Sequence, residues 1–268
     1  MHYSSFQTYI QRWYNLYGRH ELPWRQTTDP YHILVSELML QQTQVERVVP
    51  KYTEFLLHFP NTKALASASL ADVLKKWQGL GYNRRAKYLH KTAQLIVESG
   101  NSFPNTHSTL LNLPGVGNYT AAAIMNFAFD EPTPLIETNI RTVYLYHFFP
   151  DDAKVSDVVL LPLVEASLDY AYPREWFWAL MDYGAYIKKV VPNPSLRSAQ
   201  HIKQSKFSGS KRQVRGAVIR HLSNNLDATR LELELAITGN LLFLPEVLLD
   251  LQKEKLIEEH GGRFSLAV

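Results

Sequence analysis

Two glutamates occupy positions in which a carboxyl group could do acid–base chemistry. Glu37 lies inside an otherwise apolar helical run at residues 32–40, and Glu137 lies just before a helix predicted to begin near Thr138. Apolar surroundings desolvate a carboxyl group, which raises its pKa and favours proton donation near neutral pH. Two carboxyl groups in different environments suit cleavage of a glycosidic bond. One protonates the leaving group, and the other stabilises an oxocarbenium-like sugar or orients water.

Each glutamate also has an ordinary structural interpretation. Glu37 could lie on the solvent face of an amphipathic helix. Glu137 could be an acid at a helix N-terminus, where it complements the helix dipole. Periodicity alone leaves both alternatives open.

A glycine-containing hairpin is the strongest motif in the chain. Residues 113–117 have the sequence LPGVG, and the small-residue run NYTAA follows. A helix, a tight turn and a second helix would form a helix-hairpin-helix, in which Gly115, Val116 and Gly117 let the backbone approach a phosphate. The free amides of the next helix and its dipole would bind that phosphate. The alternative is a plain tight turn, because Gly-x-Gly alone is a weak signal.

A basic stretch indicates contact with a polyanion. The net charge is only +3, but residues 188–215 contain no acid and eight basic residues, namely Lys188, Lys189, Arg197, Lys203, Lys206, Lys211, Arg212 and Arg215. A basic stripe of this length is typical of nucleic-acid contact, and a solvated linker is the alternative.

The elements that must position these groups are helices. Helical periodicity extends to about residue 187, with two runs in the segment 31–60 that we expect to break around Pro50. The Pro- and Ser-containing stretch after residue 190 predicts a boundary, followed by three helices and two short strands. We therefore predict an all-α fold with a domain at 1–190, a basic linker at 191–210 and a winged-helix-like module at 211–268.

Composition excludes several classes of protein. The chain has no cysteine, which excludes disulfides, thiolate catalysis and cysteine-ligated zinc or iron–sulfur clusters. No apolar stretch approaches the roughly 18 residues of a membrane span, and the N-terminus has no signal-peptide pattern. We expect a monomeric, cytoplasmic protein, associated with the nucleoid and without membrane contact.

Several sequence blocks, in order, resemble one family. They are LPWR at 22–25, SELMLQQTQV at 36–45, GLGYNRRAKYLHK at 79–91, LPGVGNYTAAAI at 113–124, ETNIRTV at 137–143 and MDYGA at 181–185. They are similar to the adenine DNA glycosylases of the MutY type, in the helix-hairpin-helix glycosylase superfamily. The resemblance implies two α-helical subdomains with a catalytic cleft between them. It also implies double-stranded DNA with a mismatched or damaged base pair as the partner, and flipping of the target base, whose bond is inaccessible inside the stack.

The resemblance implies catalytic roles for four residues. Glu37 matches the general acid that protonates the adenine ring, and Glu137 stands where the family has a catalytic aspartate. Tyr119 stands where endonuclease III-type enzymes have a Schiff-base lysine, so the absence of an amine favours a monofunctional glycosylase. Asn139 matches a polar residue that supports the sugar side of the site.

Four further residues match positions around the flipped base. Gln42 matches the residue wedged into the duplex, and Gln41 its neighbour facing the adenine pocket. Tyr82 matches the aromatic residue that intercalates beside the guanine of the lesion-bearing strand. Arg25 matches a residue near the adenine site.

The sequence departs from the family pattern in three places. The methylene that Glu137 adds to the usual aspartate displaces the carboxylate by up to about 1.5 Å, and such a misplacement can lower a rate about a hundredfold. The cluster-binding cysteines after the MDYGA block are missing, and Lys188 and Lys189 stand there with the basic character needed for phosphate contact. The winged-helix-like module replaces the family's lesion-recognition domain, which is related to nucleotide-pyrophosphate hydrolases.

These departures set the expected cofactors and leave three functions open. We expect no iron–sulfur cluster and no side-chain metal site, although the resemblance allows a monovalent cation held by the backbone of the hairpin. The leading hypothesis is excision of adenine opposite 8-oxoguanine or guanine, because Glu37 and the Gln41–Gln42 pair suit a purine that leaves once protonated. The alternatives are a thymine or uracil mismatch glycosylase of the same fold and a non-catalytic DNA-binding homologue.

Overall fold

A computed structural model describes residues 2–201 and 206–267, and helices dominate both stretches. The first stretch contains α1 (Tyr3–Tyr17), α2 (Pro30–Leu40), α3 (Val45–His58), α4 (Thr62–Ser67), α5 (Leu70–Lys76), α6 (Arg84–Glu98), α7 (His107–Leu110), α8 (Asn118–Phe129), α9 (Thr138–Phe148), α10 (Asp157–Ala166) and α11 (Pro173–Val190), with 3-10 helices at Pro23–Arg25 and Pro194–Arg197. The second contains α12 (Lys211–Asn224), β1 (Ala228–Thr229), α13 (Arg230–Ala236), a 3-10 helix (Leu241–Phe243), α14 (Leu244–Lys253), β2 (Ile257–His260) and β3 (Arg263–Leu266). The predicted all-α fold with a small appended module is confirmed.

The chain forms two compact units, and it passes through each of them twice. Unit 1 comprises the described residues within Met1–Leu34 and Pro104–Lys203, and unit 2 those within Val35–Phe103 and Gln204–Val268. The C-terminal module therefore belongs to unit 2, together with α3 to α6. The predicted limits at 1–190, 191–210 and 211–268 stay a prediction, and Lys203 of the predicted linker lies outside the described residues.

Unit 1 depends on a close approach of α9 and α11. A Cβ atom on Gly184 of α11 would lie 2.1 Å from the carbonyl oxygen of Asn139, so only glycine lets the two helices approach to this distance. Aromatic side chains fill the other side of this core. Phe6 of α1 packs edge-on against Trp176 and is tilted against Tyr144.

A guanidinium group holds the segment that follows α11. Arg197 donates hydrogen bonds to the carbonyl oxygens of Leu145 (3.1 Å), Phe149 and Pro150, at the end of α9 and just beyond it. The carbonyl oxygen of Arg197 in turn accepts a hydrogen bond of 3.0 Å from the amide of Val155. Part of the predicted linker is therefore folded onto unit 1 by contacts between protein groups.

The C-terminal module forms its own small core. The sheet is antiparallel with the order β1-β3-β2, and Phe264 of β3 pairs with Ala228. Each of the module's three helices contributes a fully buried side chain, namely Val214 of α12, Leu233 of α13 and Leu251 of α14. Three helices and a terminal β hairpin are the elements that the sequence predicts for a winged-helix-like module.

Ion pairs fix this module on the rest of unit 2. Arg84 of α6 and Arg215 of α12 both pair with the carboxylate of Glu254, which directly follows α14. Lys87 of α6 donates to the backbone carbonyl oxygen of the same glutamate. One acidic residue thus joins α6, α12 and the end of α14.

Candidate active site

Glu37 lies in a helix that is buried on every side. From Ile33 to Met39 every residue of α2 is buried, and Glu37 itself is only 5 % exposed. The alternative that placed Glu37 on a solvent-facing side is therefore wrong. A buried carboxyl group must be paired or neutral, because an isolated charge is costly to remove from water.

Arg85 of α6 organises the two turns next to Glu37. Its guanidinium is buried, and burial lowers the pKa of Arg85 to about 10, so the group stays charged at neutral pH. Its two terminal nitrogens donate hydrogen bonds to the carbonyl oxygens of Leu38 (2.6 Å), Met39 (2.9 Å) and Gln41 (2.6 Å), to Thr43 Oγ1 (3.1 Å), and to the carbonyl oxygens of Leu80 and Gly81 (both 3.1 Å). The turn after α2 and the turn before α6 are therefore held together by one side chain.

Sequence reasoning missed Arg85. The available signal was a charged residue on the apolar stripe of α6, four positions before the buried Leu89 and eleven before the buried Ile96. A charge at such a position must find several acceptors inside the protein, since burial of an unpaired charge is costly.

Gln42 and Tyr82 lie on these two turns in backbone conformations that are rare for residues other than glycine. Their φ angles are +55° and +47°. Gln42 is exposed, Tyr82 is 38 % exposed, and the guanidinium of Arg85 lies 5.4 Å from the centre of the Tyr82 ring. Strained residues at exposed turns concentrate in functional sites. The structure thus brings three predicted base-contacting residues, Gln41, Gln42 and Tyr82, onto adjacent turns of unit 2.

In unit 1, Glu137 is the N-cap of α9. Its Oε1 accepts hydrogen bonds from the amides of Asn139 (2.7 Å) and Ile140 (2.9 Å), so the cap uses one of the two carboxylate oxygens. Burial raises the pKa of Glu137, although the amide of Ile140 and the ammonium of Lys188 each lower it. The ordinary interpretation of Glu137 as a helix N-terminal acid therefore describes a contact that it makes, and Oε2 takes no part in the cap.

Lys188 lies against the same helix terminus. Its Nζ donates hydrogen bonds to Asn139 Oδ1 (2.8 Å) and to Thr138 Oγ1 (3.0 Å). Burial lowers the pKa of Lys188, while the attraction of Glu137 raises it. Glu137, Asn139 and Lys188 therefore form one cluster, although the sequence predicted phosphate contact for this lysine. Lys189 is exposed.

The predicted hairpin is present between α7 and α8. Gly115 has a φ of +78°, and the amide of Val116 donates to the carbonyl oxygen of Leu113 at 3.1 Å. Gly117, the N-cap of α8, has an ordinary φ of −98°, and a Cβ atom there would meet open space. The fold thus requires the glycine at 115, whereas it has space for a side chain at 117. Tyr119 is half-buried in the first turn of α8.

Arg25 makes a buried ion pair in unit 1. Its side chain is 4 % exposed, and its two terminal nitrogens donate to the two carboxylate oxygens of Asp182 at 2.7 and 2.9 Å. The guanidinium also lies 5.4 Å from the ring centre of Trp178. This geometry holds α11 to the segment after α1, and the predicted place of Arg25 beside the base stays a prediction.

The predicted site residues fall into two sets. Unit 2 holds Glu37, Gln41, Gln42 and Tyr82, and unit 1 holds Arg25, Gly115, Val116, Gly117, Tyr119, Glu137, Asn139, Lys188 and Lys189. Across residues 2–201 and 206–267, no group of three or more His, Asp or Glu side chains could hold a metal ion. Nor does any helix in those residues have the length and apolar character to cross a membrane.

Comparison with known proteins identifies the class. Residues 35–160 match the model of the HhH-GPD superfamily of base excision DNA repair proteins. The adenine DNA glycosylase of Mycolicibacterium smegmatis is 33 % identical over 276 residues, which cover 95 % of this chain and 94 % of that protein. The chain therefore belongs to the HhH-GPD superfamily of DNA glycosylases, alongside relatives named adenine DNA glycosylase.

A second relative and a solved structure agree with this assignment. The adenine DNA glycosylase of Buchnera aphidicola subsp. Baizongia pistaciae is 37 % identical over 184 residues, or 68 % of this chain, and the chain spans 52 % of that relative's length. The structure of a thermostable thymine-DNA glycosylase matches with a TM-score of 0.62 and 27 % identity, over 71 % of this chain and 88 % of that one. The predicted helix-hairpin-helix glycosylase fold is confirmed.

Proposed function

We propose that this protein is a monofunctional glycosylase that excises adenine mispaired with 8-oxoguanine or guanine from double-stranded DNA. The observation that carries the proposal is the burial of Glu37 one turn before Gln41 and Gln42, at 5 % exposure. A buried acid beside two amide side chains suits a purine, because the amides can bond the ring edge while the acid protonates it. Relatives named adenine DNA glycosylase support this choice of base.

The proposed reaction begins with extrusion of the adenine nucleotide, because its ring nitrogens are inaccessible inside the stack. Glu37 donates a proton to the adenine ring, and the bond between the base and C1′ breaks with its electron pair going to the base. The carboxylate of Glu137 stabilises the positive charge that develops on the sugar. Water then adds to C1′ and loses a proton to Glu37 or the solvent, which leaves an abasic site.

The position of Tyr119 supports a reaction that stops at the abasic site. A strand-cutting lyase needs an amine that forms an imine with the sugar, and a phenol cannot supply one. Asn139 and Lys188 support the sugar side of the site through the first turn of α9.

The open space at Gly117 supports phosphate binding by the hairpin. The fold has space for a side chain there, and a glycine leaves the backbone open to a close approach from outside. The amides at the N-terminus of α8 suit a DNA phosphate. Lys189 and the basic residues of α12 add positive charge for the DNA backbone.

Single-turnover cleavage tests the proposal. Duplexes carrying adenine opposite 8-oxoguanine, adenine opposite guanine, and thymine or uracil opposite guanine are incubated with excess protein. Alkali then cuts the abasic sites. We expect product from both adenine mispairs and none from the others. Product only from thymine or uracil would favour the second candidate, which the likeness to a thymine-DNA glycosylase supports. Tight binding without any product would favour the non-catalytic homologue.

Replacement of the proposed acid gives the sharpest variant. Glu37→Gln keeps the size of the side chain but cannot donate a proton to the base, so we expect the single-turnover rate to fall at least about a hundredfold. The Kd for the same duplex should change by less than about threefold, because the contacts to DNA remain. Glu98→Gln, at the exposed end of α6 in the same unit, is the matched control and should retain the wild-type rate. A Glu37→Gln variant that still turns over would contradict the assignment of the acid.

A further inference from the structure

The side chain of Tyr82 is contacted by the C-terminal module. Nη1 of Arg212, on α12, donates a hydrogen bond of 2.9 Å to the hydroxyl oxygen of Tyr82, across 130 positions of sequence. The ring of Tyr82 is 38 % exposed. An exposed hydroxyl can bond to water at no cost, so the stability of unit 2 has little need of this hydrogen bond.

Tyr82 is restrained at both of its ends. Its backbone follows the turn that Arg85 fixes through the carbonyl oxygens of Leu80 and Gly81. Its hydroxyl group is fixed by Arg212. An aromatic ring that is restrained both through its backbone and through its hydroxyl group loses little conformational entropy when it stacks on a base. Such preorganisation strengthens binding.

The helix that carries Arg212 is itself firmly anchored. Lys211 pairs with Glu246 (2.7 Å) and Asp250 (2.6 Å), and Arg215 pairs with Glu254. Lys211 and Arg215 therefore connect α12 to acidic residues of α14 and to Glu254, which directly follows α14. Arg212 lies between them in sequence, and it reaches the exposed Tyr82 that precedes α6.

We infer that Arg212 is a positioning residue for Tyr82, and that the C-terminal module thereby takes part in recognising the base opposite the one excised. The inference rests on the proposed function and adds a partner for the module, namely the lesion-bearing strand. A tyrosine ring fixed in position to stack beside guanine or 8-oxoguanine favours duplexes with one of these bases opposite the excised adenine over duplexes with a pyrimidine there. The positive charge of Arg212 beside the hydroxyl also suits the phosphates of that strand.

The test compares Arg212→Ala, Tyr82→Phe and the double variant in the full chain. Tyr82→Phe keeps the ring and removes only the oxygen that Arg212 contacts. The quantity measured is the ratio of the single-turnover rates for adenine opposite 8-oxoguanine and adenine opposite cytosine. In either single variant this ratio should fall about 3- to 10-fold, which corresponds to the loss of one hydrogen bond. The double variant should fall no further. Arg212→Lys, which keeps a donor, should recover part of the preference.

Arg220→Ala is the matched control, because it removes one positive charge from an exposed position of the same helix. A general electrostatic role of α12 would make this variant as defective as Arg212→Ala. That result, or additive losses in the double variant, would overturn the inference. Unchanged thermal denaturation shows that each variant is folded.

A second readout separates this inference from the proposed function. The fluorescence of 2-aminopurine, placed opposite a non-cleavable abasic-site analogue, reports stacking by the protein without any cleavage. A wild-type protein that cleaves no adenine duplex would contradict the proposed function. The inference would still hold if Arg212→Ala and Tyr82→Phe reduced the fluorescence change equally. It would fail if neither variant altered that change.

Discussion

The carboxylate of Glu137 has one oxygen in the cap of α9 and one outside it. Glu137 caps the helix through Oε1, which explains why an acid is useful there even without chemistry. Despite the extra methylene relative to aspartate, Oε1 still reaches the two amides, and Oε2 is left out of the cap. A glutamate can therefore stand where the family has an aspartate without the loss of the helix terminus.

Glu137 should make cleavage sensitive to mild acid. The proposed reaction needs the ionised form of Glu137, and burial raises the pKa of this residue. The cleavage rate should therefore fall as the pH is lowered, and the fall should begin at a higher pH than it would for an exposed glutamate. Glu137→Gln should lower the rate by about a hundredfold or more and abolish this acid limb. Single-turnover rates measured across the acid range give the profile. An acid limb that persists in Glu137→Gln would assign the titration to another group.

At individual positions, sequence motifs could nominate residues for chemistry but could not predict their contacts. Glu37 could be singled out because a carboxyl group is conspicuous in an apolar run. The structure adds that the run is buried on all sides. Arg85 was overlooked, because its six acceptors come from two turns that are distant in sequence. Lys188 was predicted to contact phosphate, and its hydrogen bond to Asn139 depends on helix packing that composition cannot show.

Among the helices, two glycines should respond in opposite ways to the same substitution. Gly184→Ala places a Cβ atom against the carbonyl oxygen of Asn139, so we expect a loss of about 1–3 kcal/mol in the free energy of unfolding. Gly117→Ala meets open space, so it should lose only the advantage of glycine over alanine as the N-cap of α8, at most about 1 kcal/mol. Gly117→Ala should instead weaken binding to duplex DNA, since a methyl group would block the approach of a phosphate.

Urea unfolding and duplex titration measure the two effects, and each glycine variant serves as the control for the other. A Gly117→Ala variant with the wild-type Kd for duplex DNA would show that no phosphate approaches the hairpin. A Gly184→Ala variant of wild-type stability would show that α9 and α11 can separate at little cost.

Most helices could be predicted from their periodicity, but one boundary was wrong. We expected a break around Pro50, whereas α3 runs unbroken from Val45 to His58 and the break lies before it. Pro50 is exposed, so the carbonyl oxygen it leaves without a helical donor can be hydrated. The break occurs instead at Gln42, whose left-handed backbone is held by the turn that Arg85 binds. A contact distant in sequence decided where the helix begins.

For the molecule as a whole, His147 should contribute to acid sensitivity. It lies among aromatic rings, 3.2 Å from the hydroxyl oxygen of Tyr183, and burial lowers the pKa of His147 to about 4. The unfolded chain therefore binds a proton at higher pH than the folded one. The stability that the neutral ring contributes is present above about pH 6.5 and is lost as the pH falls toward 4.

Urea unfolding between pH 7 and pH 4 measures this effect. We expect the free energy of unfolding to fall by about 1–3 kcal/mol because of this histidine. His147→Gln should remove that part of the slope, and His58→Gln, at an exposed end of α3, should keep it. Equal slopes in the wild type and His147→Gln would show that another group titrates.

The organisation of the whole molecule was the hardest to predict. Composition indicated a separate C-terminal module, and the module's elements match that prediction. Its attachment was invisible in the sequence, because the Glu254 contacts to Arg84 and Arg215 join positions far apart in the chain. Charge pairs of this kind carry no local pattern, whereas helix periodicity does.

Arg197 anchors the loop after α11 through the carbonyl oxygens of Leu145, Phe149 and Pro150. Iron–sulfur clusters held by cysteine thiolates depend on a supply of iron, and their ligands are open to oxidation. A guanidinium bonded to carbonyl oxygens depends on neither. The fold of this loop therefore needs no supply of iron, and it contains no thiolate that peroxide could oxidise.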